Sequence, residues 1–176
     1  METATLPPKK SSRGSAFVAF VLNRLTHDTA FGAALRRADN PATEYQSWEY
    51  LAKWCDLDNT AERTCFATVA AGLAHAKQSA ANPSSIGSAI ARSYQDGSQD
   101  DSAKRKLRRL LACDSSVEAC QWVRPLLRLA ESRGVRVNFS RLLDDLLFFD
   151  VGPKVKERWA TDFYGRKEEK DDSISA

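Results

Sequence analysis

A chain of 176 residues that is 43% hydrophobic and 28% charged is long enough for one or two compact domains with a buried core. Its 26 Lys+Arg and 23 Asp+Glu leave a net charge of only +3, so bulk charge does not single out a polyanion as partner. Eight Gly and six Pro exclude collagen-like and low-complexity classes, and the longest apolar run, Ala16–Leu22, is far short of the ~18 residues of a membrane span.

Residues 1–14 contain Pro7, Pro8, Lys9, Lys10 and Arg13, and no small-residue cleavage site follows the short apolar run, so they read as a disordered lead and not a signal peptide. Phe17, Phe20, Val21 and Leu25 recur at helical spacing and predict a helix over 15–26 with Ser15 as N-cap. Phe31, Ala34 and Leu35 predict a short second helix ending at Arg36 and Arg37, before Asp39-Asn40-Pro41 breaks it. Tyr45, Trp48, Leu51 and Ala52 mark a third helix. Asp58-Asn59-Thr60 offers the turn and cap for a fourth, 61–77, with Phe66, Val69, Ala70 and Leu73 as its buried stripe.

The polar stretch 78–85 is the best internal linker, and 86–94 patterns as a short helix. A polar loop over 95–101 contains Gly97. Beyond it, Leu107, Leu110 and Leu111 define one helix, and 117–132, 139–149 and 155–164 define three more. Gly134 and Gly165 stand where helix C-caps belong, and Pro125 predicts a kink inside 117–132. The charged tail 165–176 lacks aromatics and reads as disordered. No period-2 segment demands a strand. The expected fold is all-α, about eight or nine helices in two successive small bundles: an N-terminal bundle over 15–94 and a basic C-terminal bundle over 102–164.

Charge is unevenly distributed. Residues 104–158 carry 13 basic and 7 acidic side chains, whereas 1–103 carry 10 and 11. The densest cluster is Lys104, Arg105, Lys106, Arg108 and Arg109. At about 100° per residue the leucines share one face, Arg105 and Arg109 lie opposite, and Lys104 and Arg108 form a flank. Such a run can be a solvated helix face. Against that, Lys104/Arg108 and Arg105/Arg109 are like-charge i,i+4 pairs, each costing roughly 0.2–0.5 kcal/mol, which moves the balance toward a polyanion partner. Arg36 with Arg37, Arg124 with Arg128, and Lys154, Lys156 and Arg158 are further basic groups that could extend the surface. Trp122 and Trp159 fall in apolar helical stripes and read as core.

Catalytic chemistry finds little footing. His27 and His75 are isolated, and Asp144-Asp145 are helix neighbours about 100° apart that read as a polar face. No Gly-rich phosphate loop or nucleophile elbow is present, and Ile86-Gly87-Ser88 carries no catalytic signal. Cys55, Cys65, Cys113 and Cys120 lack metal-ligand spacing and sit in apolar helices, which fits reduced thiols and a cytoplasmic protein without metal or other cofactor.

Taken in order, the segments 85–93, 104–111, 122–127, 139–147 and 155–163, preceded by the 17–25 helix and Ala33–Arg37, resemble the CasB family, the small subunit of the type I-E CRISPR Cascade complex. The likeness spans about residues 15–164. It implies a non-catalytic, two-bundle helical protein that sits as a stacked pair in an RNA-guided complex. Its partners would be other Cascade subunits, crRNA, target DNA, the displaced non-target strand and a second copy of itself. Carried over by position, the family's basic residues fall on Arg36, Arg37, Lys104, Arg105, Lys106, Arg124, Lys154 and Lys156. Ala112 and Pro125 stand where relatives can carry basic residues. Such a subunit needs no base code, because guide pairing reads the sequence and backbone contacts tip a nearly balanced strand exchange. The competing reading is a helical adaptor whose basic ridge docks an acidic protein.

Overall fold

A computed structural model of the chain describes residues 11–76 and 83–165. The expected tail from 166, most of the expected lead and most of the 78–85 linker lie outside the described residues. Among those described, nine α-helices follow one another: α1 Arg13–Leu25, α2 Thr29–Arg36, α3 Trp48–Leu51, α4 Thr60–His75, α5 Ile86–Arg92, α6 Asp101–Leu111, α7 Ser116–Ser132, α8 Phe139–Leu147 and α9 Lys154–Tyr164. Short 3-10 turns at Glu44–Ser47, Gly97–Gln99 and Phe149–Val151 complete the set. The expected all-α class is what forms. The described residues contain no strand, only a single bridge at which the Ser84 N–H donates to Arg136 O and the Asn138 N–H to Ser84 O, both at 2.8 Å.

Side-chain caps set most helix starts. Ser12, Asp28, Asn59, Ser85, Asp100, Ser115 and Asn138 each accept a hydrogen bond from the backbone N–H three residues on, worth about 1 kcal/mol apiece. The cap of α1 is therefore Ser12 and not Ser15, whose own N–H is the donor at 3.1 Å; Ser12, Arg13 and Gly14 are drawn from the expected lead into the fold. Helix α7 runs on through Pro125 and closes at Gly134, φ +67°, where the Gly134 N–H reaches Glu131 O and the Val135 N–H reaches Ala130 O at 2.8 Å. That paired closure needs a left-handed residue, which glycine adopts without a Cβ clash.

The third expected helix shrinks to a 3-10 turn and one α turn. Leu51 is buried, but Tyr45 and Trp48 face outward, so the apolar spacing that suggested a longer helix serves only one buried anchor.

Helix α4 is the centre of the molecule. Its expected stripe is buried, and Cys65, Ala67, Thr68 and Ala71 are buried with it, because α1, α2, α7 and α8 pack around it. Phe17 of α1 meets Phe66 edge-on, ring centroids 4.8 Å apart. Helices on either side of the 95–101 loop are thus direct neighbours: α1 packs on α8, α4 on α7 and α8, and α5 on α9, and their buried side chains form one continuous cluster.

The α5–α9 contact depends on Gly87. A Cβ there would lie 2.1 Å from the Trp159 carbonyl oxygen, so only glycine permits the two backbones to approach this closely.

Candidate nucleic-acid interface

Asp100 fixes where α6 begins, its carboxylate accepting from the N–H groups of Ser102 at 2.7 Å and Ala103 at 3.0 Å. From that start, helical geometry points Ala103, Leu107 and Leu110 into the core, where all three are fully buried. The cations are turned outward as a consequence: Arg105, Lys106, Arg108 and Arg109 are exposed and Lys104 is half-buried. Among the described residues none of the five forms an ion pair. Arg105 donates to the Ser102 hydroxyl at 2.8 Å, and the Arg109 guanidinium lies 5.1 Å over the Trp122 ring.

Trp122 corrects the expectation that it packs in the core. It is 36% exposed, whereas Trp159 is wholly buried as expected. The reason is angular. The buried stripe of α7 is Ala119, Cys120, Val123, Leu126, Leu127 and Ala130, and Trp122 lies roughly 100° to one side of its centre, on the flank toward α6. Arg124 and Arg128 lie on the opposite flank.

That opposite flank borders a groove of about 610 Å³ between α1, α4, α7 and the 134–140 connection. Arg128 reaches Asp39 across it at 3.7 Å, and both Arg124 Nε and Thr68 Oγ1 are buried there without a hydrogen-bond partner among the described residues. Arg36 and Arg37 are exposed at the end of α2, and Arg37 donates to Gln46 Oε1 at 3.0 Å. Helix α7 therefore separates two basic regions that the sequence could not sort: the α6 face with Trp122, and the groove with Arg124 and Arg128.

The α9 cations are mostly occupied in holding the fold. Lys156 donates to Cys113 O at 2.6 Å and lies 5.2 Å over the Phe149 ring. Arg158 is bonded to Asp145, whose other oxygen accepts from Trp159 Nε1 at 2.7 Å. Lys154 is exposed at the start of the helix. Asp144 and Asp145 are consequently not a solvated polar face. Asp145 is buried and Asp144 accepts from the Gly14 N–H at 3.0 Å, because α8 is enclosed by α1 on one side and α9 on the other.

The four cysteines are free and buried. Burial pushes the Cys55 and Cys113 thiols up to about 11, and the contact with Cys120 together with burial raises Cys65 further. Neutral thiols such as Cys55, Cys65 and Cys113 pack as small apolar groups. No helix of the described residues is long and apolar enough to cross a membrane.

Comparison with known proteins supplies a family. The model of the CRISPR-associated protein Cse2 family matches residues 32–164. A crystal structure of M. ruber CasB is 28% identical, with a TM-score of 0.73 over 88% of this chain and 94% of that one. CasB from Thermus thermophilus is 26% identical, with a TM-score of 0.69 over 88% of this chain and 99% of that one. A chain of a CRISPR RNA-guided surveillance complex shares the fold at 22% identity, TM-score 0.70, covering 86% of this chain and 91% of its own length. No curated protein matches by sequence.

Proposed function

This chain belongs to the CRISPR-associated Cse2 family, and on that basis we propose that it is the small, non-catalytic subunit of a type I-E Cascade complex. In that complex its α6 face would hold the phosphate backbone of nucleic acid within the R-loop. The observation that carries this reading is the set of five α6 cations without an acidic partner among the described residues. Phosphates would neutralise them and release counterions, giving affinity that is insensitive to sequence and sensitive to salt. Guide pairing would supply the specificity, and contacts of this kind would tip the strand exchange toward the open state. Membership in the complex is supported by the shared fold with a chain of a surveillance complex. Other Cascade subunits, crRNA, target DNA, the displaced strand and a second copy are the partners this reading requires.

The test replaces Arg105, Arg108 and Arg109 by Ala in the assembled, crRNA-loaded complex. Thermal melting of the subunit and assembly of the complex should be unchanged. R-loop lifetime should fall, and the slope of log K against log salt should become shallower by about 2, near 0.7 for each single-strand phosphate that is no longer neutralised. Unchanged R-loop stability would overturn the assignment. A complex that no longer assembles would instead identify the ridge as a docking site for an acidic protein.

A further inference from the structure

Trp122 is left 36% exposed beside Arg109, one of five α6 cations that have no ion-pair partner among the described residues. Trp122 has an apolar body held by α7 and an indole Nε1 that donates to no acceptor among the described residues. The Arg109 guanidinium, 5.1 Å over the ring, adds a second flat cationic surface to it. Another exposed tryptophan in the chain provides an internal comparison. Trp48 is 37% exposed and also has an arginine over it, Arg63 at 5.6 Å, but Arg63 is ion-paired with Glu44 at 3.0 Å. Around Trp48 the cation is neutralised locally, whereas Arg109 over Trp122 has no ion-pair partner among the described residues. Arg105 lies one turn before Arg109 on the same face of α6, about 6 Å along the axis. Glu118, one turn before Trp122 on α7, is engaged with the Asp114 N–H at 2.9 Å and forms the acidic edge of the patch.

A flat aromatic–guanidinium pair flanked by phosphate-binding arginines is the combination that single-strand binders use: the base stacks, and the cations follow the backbone. A duplex hides its base faces inside the stack and offers phosphates, sugars and groove edges, none of which stacks on such a pair. We propose that Arg109 and Trp122 form a stacking platform for an unpaired base of single-stranded nucleic acid, with Arg105 taking a neighbouring phosphate. The inference rests on the nucleic-acid reading of the α6 face and narrows it from polyanion to open strand.

The experiment titrates the full chain with an oligothymidine and with a duplex of equal length, following tryptophan fluorescence, for the native protein, Trp122→Phe and Trp122→Ala. Binding of the single strand should quench fluorescence in the native protein, and the quench should be lost in Trp122→Phe, which keeps affinity within about threefold. Trp122→Ala should lose roughly tenfold or more of single-strand affinity, with little change for duplex and none in the salt slope, since no charge is removed. Photocrosslinking of an iodouridine-labelled strand to the unmodified chain should map to Trp122, which decides the matter even if Trp122→Ala fails to fold. Native-like single-strand binding by Trp122→Ala, or a crosslink elsewhere, would overturn the platform. In that case, loss of binding in the arginine variant would still stand for the α6 face. A Trp122→Ala chain that binds the strand normally but no longer enters the complex would overturn it too, and mark Trp122 as a protein contact.

Discussion

Helices α6 and α9 both lay cations on an amphipathic helix against the same core, and they use them in opposite ways. In α9, Lys156 satisfies a backbone carbonyl, and Arg158 with Trp159 holds a buried carboxylate; these charges are parts of the fold. In α6, five cations share eleven residues with one first-turn acid, Asp101, and none has an ion-pair partner among the described residues. Like charges one turn apart repel, and Lys104 stands in the first turn of the helix, where its dipole disfavours it, whereas Arg108 and Arg109 stand in the last turn, where it favours them. A charge whose partner lies in the fold is explained by the fold, whereas a row that the fold leaves unpaired at a cost requires something outside it. On the proposed reading, the difference separates the residues that nucleic acid would engage from those that only resemble them in sequence.

Charges engaged by the fold belong to a closely fitted region, so the surroundings of α9 should be sensitive to small changes, beginning with Gly87→Ala. The added methyl would meet the Trp159 carbonyl oxygen at 2.1 Å and its carbon at 2.9 Å, atoms of the helix backbone that cannot turn aside. We expect a loss of about 3 kcal/mol or more in denaturant unfolding, the upper range for overpacking, although alanine is the better helix former. A Gly87→Ala protein as stable as its parent would show that α5 and α9 can move apart freely, and would remove the case that this region is closely fitted. Next in size is Arg158→Ala. It leaves the Asp145 carboxylate buried with only the Trp159 N–H, at a cost of about 2 kcal/mol. That is below the ~3–5 kcal/mol of a fully buried pair because Arg158 is itself 48% exposed. If Arg158→Ala leaves the unfolding midpoint unmoved, Arg158 is as free as the α6 arginines and belongs with them.

Local rules made much of the fold legible. The capping residue Asn59, the stripe of α4 and the glycine at the end of α7 are consequences of neighbours in sequence, and the structure has them as expected. What periodicity could not resolve was which edge of a stripe is covered. Trp122 and Val123 are adjacent letters, yet one stands at the rim of the α7 stripe and the other at its centre. Tyr45 and Trp48 repeat with Leu51 at helical spacing although only Leu51 has a partner in the core. The role of Asp145 was illegible for a different reason: its partners come from α9, thirteen and fourteen residues on, and no spacing rule within α8 announces them. The same holds for Lys156 and Cys113. The sequence located the basic groups, and only the tertiary contacts divided them into paired and unpaired.

The smallest expected change in stability is the sharpest test of that division. Lys104→Gln with Arg105→Gln removes one member of each like-charge pair on α6 and, at Lys104, a cation from the first turn, where the dipole opposes it. It forfeits the exposed bond from Arg105 to the Ser102 hydroxyl and the i,i+4 attractions of Asp100 for Lys104 and of Asp101 for Arg105. The two relieved repulsions and the two lost attractions, each roughly 0.2–0.5 kcal/mol, nearly cancel, so the double variant should match the parent in stability to within about 0.5 kcal/mol while binding nucleic acid more weakly and with a shallower salt dependence. Unchanged stability with weakened binding would mean that these α6 cations serve a ligand and not the fold. A double variant that is less stable than the parent by more than that margin would mean the reverse: that these side chains have partners within the protein, and that α6 is no different in kind from α9.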